Sequence, residues 1–543
     1  MNRSNTPRPT VRDAVLRLMR DLALDTVFGN PGSTELPMFR DFPADFRYVL
    51  GLQESVVVGM ADGYAQAARN AALVNLHSAA GVGHAMGNIF TAFRNQTPLI
   101  VTAGQQSRAI LSFDPFLFAA QPTELPKPYV KWAVEPARSE DVPLALARAY
   151  HVAMQPPRGP VFVSIPADDW DRETDWVRRR AVSQAVAPDP QSLRRVADAL
   201  AACRRPAFVA GAGVDRDGAV DKLVALARRH RAAVHAAPMS ARCGFPERDP
   251  LFAGFLPAMR EKIVARLQGH DLILVLGAPA FSYHVDGQGP HVPDGAALFQ
   301  IVDDPHTAAW TPTGDTVVAS LDLALDALLD GPGPAVTRAL PTPRTQPPRA
   351  EPGMPMSTAF ALQVLDAARG EADVVVEEAP GARATLQQML PMGGAESFYT
   401  MASGGLGWGM PAAVGVALGR RRLGRAGRVI GLIGDGSSMY SIQALYTAAQ
   451  LQLPITFVVL NNGCYAALQD FAPVFGYASG AKPEGTELPG LDFVKLAEGQ
   501  GLQARRVQDP GALADVLHGA LRADAPNLVD IAVARDGTAT RSS

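Results

Sequence analysis

The stretch RVIGLIGDGSSMYSIQALYTAAQLQLPITFVVLNNGCY (residues 428–465) decides the fold of the C-terminal part of the chain. An apolar run leads into Gly434-Asp435-Gly436-Ser437-Ser438, a helical pattern follows, and a second apolar run ends at Asn461-Asn462-Gly463-Cys464. Continuous runs rich in Val and Ile suit strands that are buried on both faces of a parallel sheet. The stretch therefore predicts a strand–helix–strand unit with polar residues at both carboxyl strand ends, where open α/β sheets bind ligands.

The residue types at these two strand ends are suited to a phosphate and a metal ion. Glycines let backbone N–H groups approach a phosphate, and a helix N-terminus adds partial positive charge. Asp435 and the side-chain oxygen of Asn462 are hard ligands of the kind that Mg²⁺ shares with phosphates. GDG alone also fits an ordinary tight turn, and NNG alone fits a hairpin-like loop. The pair, separated by one helix and one strand, favours a diphosphate and Mg²⁺ site.

The same alternation of strands and helices continues along the rest of the chain. A helix is predicted over 11–24, and strands are predicted over 25–30, 46–52, 71–78, 98–104, 159–166, 205–213, 271–279, 297–304, 372–380, 427–436, 454–463 and 527–534. A charged, Pro-containing stretch ends the first segment, and residues 339–356 form a Pro-rich linker of a composition that favours extended chain. We therefore expect an α/β fold of three doubly wound domains with mainly parallel sheets, covering residues 1–182, 190–338 and 357–543.

Composition excludes several classes of function. The chain has 543 residues, and its 50 basic and 53 acidic side chains give a net charge of −3, which predicts neither nucleic acid nor an anionic membrane as a partner. The three cysteines are far apart and are interpreted as free thiols in a reducing compartment. The chain start lacks the apolar stretch of a signal peptide, and no apolar run is long enough to span a membrane, so the expected location is the cytoplasm.

Glu54 is the candidate acid in the first domain. It precedes an apolar helix start, SVVVGMADGY, where Val56, Val57 and Val58 leave its carboxylate poorly solvated. Desolvation favours the protonated form of a carboxyl group. An N-terminal Glu that stabilises the helix dipole is the plainer alternative.

GDG followed by NN after 24 intervening residues resembles the fingerprint of thiamine diphosphate-dependent enzymes. The resemblance implies that Asp435, Asn462 and the main-chain carbonyl of Cys464 bind Mg²⁺, which in turn holds the diphosphate. It also implies that Glu54 exchanges a proton with the aminopyrimidine ring of the cofactor. In the same way, it names the first, second and third domains as pyrimidine-binding, central and diphosphate-binding domains.

Three further segments resemble benzoylformate decarboxylases within that family: FGNPGSTELP (28–37), NLHSAAGVGHAMG (75–87) and GAPAFSYH (277–284). By this resemblance Ser33, His77 and His284 act in the substrate pocket, together with Leu117 and Phe471. Leu406 would support the bent cofactor. The remaining implied cofactor contacts are Asn30, Pro31, Gly32, Gly381, Gly404, Gly434, Gly436, Ser437 and Tyr465. The other histidines are interpreted as structural: His84, His151, His230, His235, His270, His291, His306 and His518.

The resemblance implies non-oxidative decarboxylation of an aryl 2-keto acid, such as benzoylformate to benzaldehyde and CO₂, with carboligation as a side activity. Phe113 and Phe116 are expected to offer aromatic contacts beside Leu117. Where the family has a Thr-Ser pair, residues 377–381 read EEAPG, which changes the expected substrate fit. Homotetramers with active sites at dimer interfaces are also implied. An acetolactate synthase-like carboligase that binds a flavin and a non-catalytic cofactor-binding relative stay open as alternatives.

Overall fold

The computed structural model describes residues 8–535 and contains three six-stranded sheets, in which strand pairing is parallel. In each sheet the chain moves outward from a central strand, first to one side and then to the other, which is the doubly wound arrangement. The predicted fold class is confirmed.

The first sheet has the order β2-β1-β3-β4-β6-β5. Its strands are β1 (Thr26–Gly29), β2 (Arg47–Leu50), β3 (Ala72–Leu76), β4 (Leu99–Gln105), β5 (Ala133–Val134) and β6 (Val161–Pro166). The helices between and around them are α1 (Val11–Asp21), α2 (Leu36–Phe39), α3 (Glu54–Ala68), α4 (Ser78–Asn95) and α5 (Val142–Met154). Helix α1 begins at a capping box, in which Thr10 and Asp13 bond each other's backbone N–H groups. It ends at Asp21, earlier than predicted.

The second sheet has the order β12-β11-β10-β7-β8-β9. Its strands are β7 (Pro206–Ala210), β8 (Ala233–Ala236), β9 (Phe252–Phe255), β10 (Leu272–Leu276), β11 (Ala297–Val302) and β12 (Asp315–Val318). Its helices are α6 (Pro190–Ala202), α7 (Ala212–Arg216), α8 (Val220–His230), α9 (Arg260–Leu267), α10 (Pro305–Trp310) and α11 (Leu321–Asp330). Apolar side chains from both sheet faces form two buried clusters with these helices.

The third sheet has the order β14-β13-β15-β16-β18-β17. Its strands are β13 (Val374–Glu378), β14 (Phe398–Thr400), β15 (Val429–Gly434), β16 (Ile455–Asn461), β17 (Gln503–Val507) and β18 (Asn527–Ala532). Its helices are α12 (Thr358–Ala368), α13 (Arg383–Met389), α14 (Gly409–Arg422), α15 (Asp435–Ser438), α16 (Ala444–Gln450), α17 (Ala466–Phe471), α18 (Phe493–Glu498) and α19 (Leu513–Arg522). Residues 339–353 contain neither helix nor strand, as expected of a Pro-rich linker.

Helices α3 and α14 pack closely through four glycines. A Cβ on Gly63 would lie 2.2 Å from the carbonyl oxygen of Ala412, and one on Gly415 would lie 1.9 Å from the carbonyl oxygen of Met60. No side chain fits between the two backbones at these points, so only glycine allows the approach. We call this surface the glycine contact; it consists of Gly59, Gly63, Gly415 and Gly419.

The described chain divides into two compact units. The first unit contains residues 8–183, 403–507 and 519–532, and the second contains 184–402, 508–518 and 533–535. The first sheet and strands β15–β18 therefore belong to the first unit, whereas the second sheet and strands β13 and β14 belong to the second. The domain boundaries drawn from the sequence stay predictions. Over residues 8–535, no helix is both long enough and apolar enough to cross a membrane.

Candidate active site

The carboxyl ends of β15 and β16 meet in the first unit. The two strands are parallel neighbours, with Gly434 opposite Leu460, so the residues that follow them leave the sheet at the same edge. Asp435 connects the two ends. Its carboxylate accepts hydrogen bonds from the N–H groups of Gly436 (2.7 Å), Asn462 (3.1 Å) and Gly463 (2.6 Å).

The donor chemistry of these strand ends fits a hard cation. Asp435 is 4% exposed, and burial raises the pKa of its carboxyl, an effect that the backbone N–H donors partly offset. The side-chain oxygen of Asn462 accepts the N–H of Cys464 at 3.1 Å, so it lies in the same loop as that backbone. A buried carboxylate after β15, and an amide oxygen and a main-chain carbonyl in the loop after β16, are oxygen donors of the type that Mg²⁺ prefers.

Glycines allow a close ring contact at the end of β15 and a sharp turn of the chain ahead of α14. A Cβ on Gly436 would lie 2.4 Å from the Tyr465 ring, so the ring packs directly against the Gly436 backbone. Ser437 is buried beside it. Leu406 is half-buried between Gly404 and Gly407, whose positive φ angles of 74° and 100° turn the chain sharply ahead of α14.

Glu54 is the first residue of α3, and the preceding Gln53 caps this helix. The Gln53 side chain accepts the N–H groups of Ser55 (2.6 Å) and Val56 (3.1 Å), which fixes the direction in which α3 begins. The Glu54 side chain is 12% exposed. Helix α4 packs against it, because a Cβ on Gly81 would lie 3.4 Å from Glu54 Oε1. The Glu54 carboxyl is therefore largely withdrawn from solvent, as predicted.

His77 lies at the carboxyl end of β3 and forms a hydrogen-bonded group with the loop after β1. Its Nδ1 lies 2.9 Å from Glu35 Oε2 and 3.1 Å from Thr34 Oγ1. Glu35 is fully buried and also accepts the Gly32 N–H at 2.8 Å and the Thr34 hydroxyl at 2.5 Å. With Nδ1 donating to the carboxylate, Nε2 is left as an acceptor, the arrangement of a general base.

The loop around Ser33 approaches the same imidazole. A Cβ on Gly32 would lie 2.1 Å from His77 Nδ1, so the backbone between Pro31 and Ser33 contacts the ring. Asn30 is half-buried, whereas Ser33 and Pro31 are exposed.

One face of α4 connects His77 with Glu54. His77, Gly81, His84 and Asn88 follow one another at intervals of three or four residues, which places them on the same side of a helix. We call them the α4 face. His84 Nδ1 lies 3.1 Å from Glu54 Oε2. Asn88 Nδ2 donates to the Ser55 carbonyl (2.7 Å) and to the Gly407 carbonyl (3.2 Å), which ties the start of α3 to the Leu406 loop.

The two aromatic regions predicted for the substrate pocket differ in burial. Ser78, next to His77, donates its hydroxyl to the Leu117 carbonyl at 2.6 Å, which places Leu117 beside the histidine. Phe113 and Phe116, however, are 78% and 86% exposed in this chain, so the expected aromatic lining does not form around Leu117 here. Phe471 is half-buried and packs edge-on against Phe475.

His284 and Gly381 belong to the second unit. His284 is exposed, and its backbone N–H donates to the Ala258 carbonyl at 2.9 Å. Gly381 lies in a 3₁₀ turn, Pro380–Ala382, that follows β13.

Glu377, near the end of β13 and in the segment EEAPG (377–381), is buried and bonds the chain on either side of it. Glu377 accepts hydrogen bonds from the Ala379 N–H (2.6 Å) and from the Thr400 hydroxyl (2.9 Å). It also forms an ion pair with Arg383 at 3.1 Å.

Three residues of these groups were missed by the sequence interpretation: Glu35, His84 and Asn88. Glu35 stands within the segment 28–37, but no role was assigned to it. His84 was interpreted as structural, whereas its imidazole contacts the proposed activating carboxyl. The signal available for His84 and Asn88 was their helical spacing from His77.

Comparisons with known proteins match nearly the whole chain. Family models of thiamine pyrophosphate enzymes match residues 9–124 (N-terminal TPP binding domain), 193–328 (central domain) and 381–531 (C-terminal TPP binding domain). Benzoylformate decarboxylase of Pseudomonas aeruginosa is 43% identical over 527 residues, which cover 96% of this chain and 98% of the relative.

Two solved structures have the same fold over nearly their full length. Benzoylformate decarboxylase from Polynucleobacter necessarius superposes with a TM-score of 0.94 at 39% identity, covering 97% of this chain and 99% of that one. The thiamine diphosphate-dependent 4-hydroxybenzoylformate decarboxylase of Rhodococcus jostii RHA1 superposes with a TM-score of 0.93 at 38% identity, covering 98% and 100%. The chain therefore belongs to the thiamine pyrophosphate enzyme family.

Proposed function

We propose that this enzyme uses thiamine diphosphate and Mg²⁺ to decarboxylate an aryl 2-keto acid without oxidation, as in the conversion of benzoylformate to benzaldehyde and CO₂. The observation that carries the proposal is the similarity to two kinds of benzoylformate decarboxylase over almost the whole chain, at 38–43% identity. It is supported by a histidine–carboxylate pair at the end of β3 and by the carboxylate–amide pair at the ends of β15 and β16.

The ends of β15 and β16 hold the cofactor in this proposal. Asp435, the Asn462 side chain and the Cys464 carbonyl would hold Mg²⁺, whose charge would offset that of the diphosphate. The remaining proposed contacts to the cofactor are Asn30, Pro31, Gly32, Glu54, Gly381, Gly404, Leu406, Gly434, Gly436, Ser437 and Tyr465. When bound, thiamine diphosphate supplies the nucleophilic carbon and the electron sink that decarboxylation requires.

The protein's own contribution is acid–base chemistry and positioning. The Glu54 carboxyl holds a proton at the pyrimidine ring, in a setting from which α4 excludes most water. His77 holds its Nδ1 proton towards Glu35, so its Nε2 can take a proton from the substrate and later return it to the substrate oxygen. Ser33 binds the substrate carboxylate, and His284 is the second acid–base group.

The remaining parts of the proposal concern substrate fit and assembly. Leu117 and Phe471 line the substrate pocket, and carboligation to a second aldehyde is a side activity. The chain forms a homotetramer in the cytoplasm, with each active site at a dimer interface. Phe113 and Phe116 are exposed in this chain, and burial at such an interface would remove their apolar surface from water.

Product analysis tests the proposed reaction directly. The enzyme is stripped with a chelator, dialysed, and assayed with benzoylformate or pyruvate before and after thiamine diphosphate and Mg²⁺ are restored. We expect activity only with both additions and faster formation of benzaldehyde than of acetaldehyde. Acetolactate as the main product from pyruvate would favour the carboligase alternative. Binding of the cofactor without turnover of any 2-keto acid would favour the non-catalytic one.

A further inference from the structure

His84 is the solvent-facing neighbour of Glu54. The Glu54 side chain is 12% exposed, whereas the His84 side chain, 3.1 Å away from it through Nδ1 and Oε2, is 63% exposed. Both belong to the first unit, and Gly81, one turn earlier on the α4 face, lies against the Glu54 carboxyl, where a Cβ would be 3.4 Å from Oε1. The imidazole thus has one nitrogen at the carboxylate and its remaining edge at the protein surface.

We propose that His84 relays protons between Glu54 and the surroundings of the α4 face. This inference rests on the proposed role of Glu54 as the group that exchanges a proton with the cofactor. Each such exchange changes the protonation of Glu54, and exchange with solvent protons needs a path between this largely buried carboxyl and the surface. Because His84 acts through Glu54, it is a positioning residue in the proton path rather than a catalytic residue.

The chemistry of the step is simple and balanced. His84 Nε2 takes a proton from a hydronium ion while the Nδ1–H bond breaks and its proton passes to Glu54 Oε2. One water, a neutral imidazole with the proton on Nε2, and a carboxylic acid result. The reverse transfer returns the ring to its first tautomer. Imidazole suits this task because both nitrogens can donate or accept a proton near neutral pH.

The test measures exchange of the cofactor's C2 proton with D₂O, without substrate, by acid quench and NMR. It is run together with equilibrium binding of thiamine diphosphate. Parent enzyme, His84→Ala, His84→Asn and Glu54→Gln are compared, with and without added imidazole. His84→Asn places a hydrogen-bond donor near the position of Nδ1 but cannot pass a proton on. His306→Ala, which removes another exposed histidine, on α10, serves as the matched control.

We expect C2 exchange to fall about tenfold in both His84 variants, below the 10²–10⁴-fold expected when a direct acid–base group such as Glu54 is lost. Added imidazole should restore exchange in the two His84 variants and leave Glu54→Gln slow. Cofactor affinity should stay at the parent value in His84→Ala and His306→Ala.

Three results would overturn the relay: parent-like exchange in His84→Ala, full recovery in His84→Asn without imidazole, or lost cofactor affinity that imidazole does not restore. Parent-like exchange in Glu54→Gln has a different meaning. It would remove the proposed role of Glu54 itself, whatever His84 does.

Discussion

Replacing Glu35 by Gln should lower turnover of benzoylformate by about 10–10²-fold while leaving the protein folded. The Glu35 side chain has no exposed surface, and it accepts hydrogen bonds from His77 Nδ1 (2.9 Å), the Gly32 N–H (2.8 Å) and the Thr34 hydroxyl (2.5 Å). Gln has nearly the same shape, and its carbonyl oxygen can take the place of Oε2 and still accept from His77 and Gly32. Its NH₂ group then faces the Thr34 hydroxyl, which can turn to accept it, so Gln removes only the negative charge beside the imidazole.

The size of the effect follows from the loss of that charge. A hydrogen bond to a charged acceptor contributes about 1.5–3 kcal/mol, and each 1.36 kcal/mol corresponds to about tenfold in rate. Losing the carboxylate's charge beside His77 therefore accounts for about 10–10²-fold.

Single-turnover kinetics with benzoylformate would measure the change, and cofactor affinity and melting temperature would be recorded in parallel. Thr34→Val is the matched control. It removes the 3.1 Å contact to His77 Nδ1 but keeps the carboxylate, so its rate should stay within about tenfold of the parent. A Glu35→Gln enzyme within threefold of the parent rate would refute the assignment of Glu35 as the group that orients His77.

Three further predictions follow from the structure. Asp435→Ala should abolish Mg²⁺-dependent binding of thiamine diphosphate, measured by equilibrium dialysis. Cys464→Ala should keep this binding, because only the Cys464 backbone is proposed as a ligand. The opposite pattern would contradict the metal site. Gly415→Ala should lower the free energy of unfolding by about 3 kcal/mol or more, because its methyl group would lie 1.9 Å from a backbone carbonyl oxygen. Gly519→Ala on α19 has open space around it and should not lower the melting temperature. Burial lowers the pKa of His235 from 6.5 to about 3, so the stability that its neutral form contributes is complete above pH 6.5 and is lost as the pH falls towards 3. This loss amounts to about 2–3 kcal/mol at pH 4.5, and His235→Leu should flatten the acid side of a plot of melting temperature against pH.

All the interior strands except β8 could be predicted from the sequence, and most edge strands could not. Every predicted strand lies where the structure has one, because strands buried on both faces are continuous apolar runs. The missed strands β5, β12, β14 and β17 are the ends of their sheets, and two of them, β5 and β14, have only two and three residues. β17 reads QARRV and is mostly exposed. An edge strand is held by a neighbour on one side only, so it needs no apolar run of its own.

Strand β8 was missed for another reason. It is largely buried but reads AVHA, so His235 interrupts the apolar pattern. β9, FAGF, is the edge strand next to it and alternates between buried and half-buried residues. Both are too short for the periodicity of a strand to stand out in the sequence.

The candidate site was predictable where neighbouring strands end and unpredictable where distant loops meet. Asp435 and Asn462 follow adjacent parallel strands, so their proximity could be expected from topology alone. Glu35 is different, because its carboxyl packs against the backbone of Gly104 at the end of β4, where a Cβ would lie 2.0 Å from Oε1. Only the assembled sheet brings these residues together, and nothing in the segment around Glu35 indicates that its side chain is buried.

The glycine contact contributes to the fold of this chain and not to its proposed chemistry. Its four residues bring two helix backbones together and carry no group that could bind or transfer anything. A descendant that lost Glu54 and all activity would still need them in order to fold. A search for active members among related chains should therefore give the glycines of α3 and α14 little weight as markers of chemistry. They serve the fold, whereas the glutamate at the start of α3 is the residue proposed to take part in the chemistry.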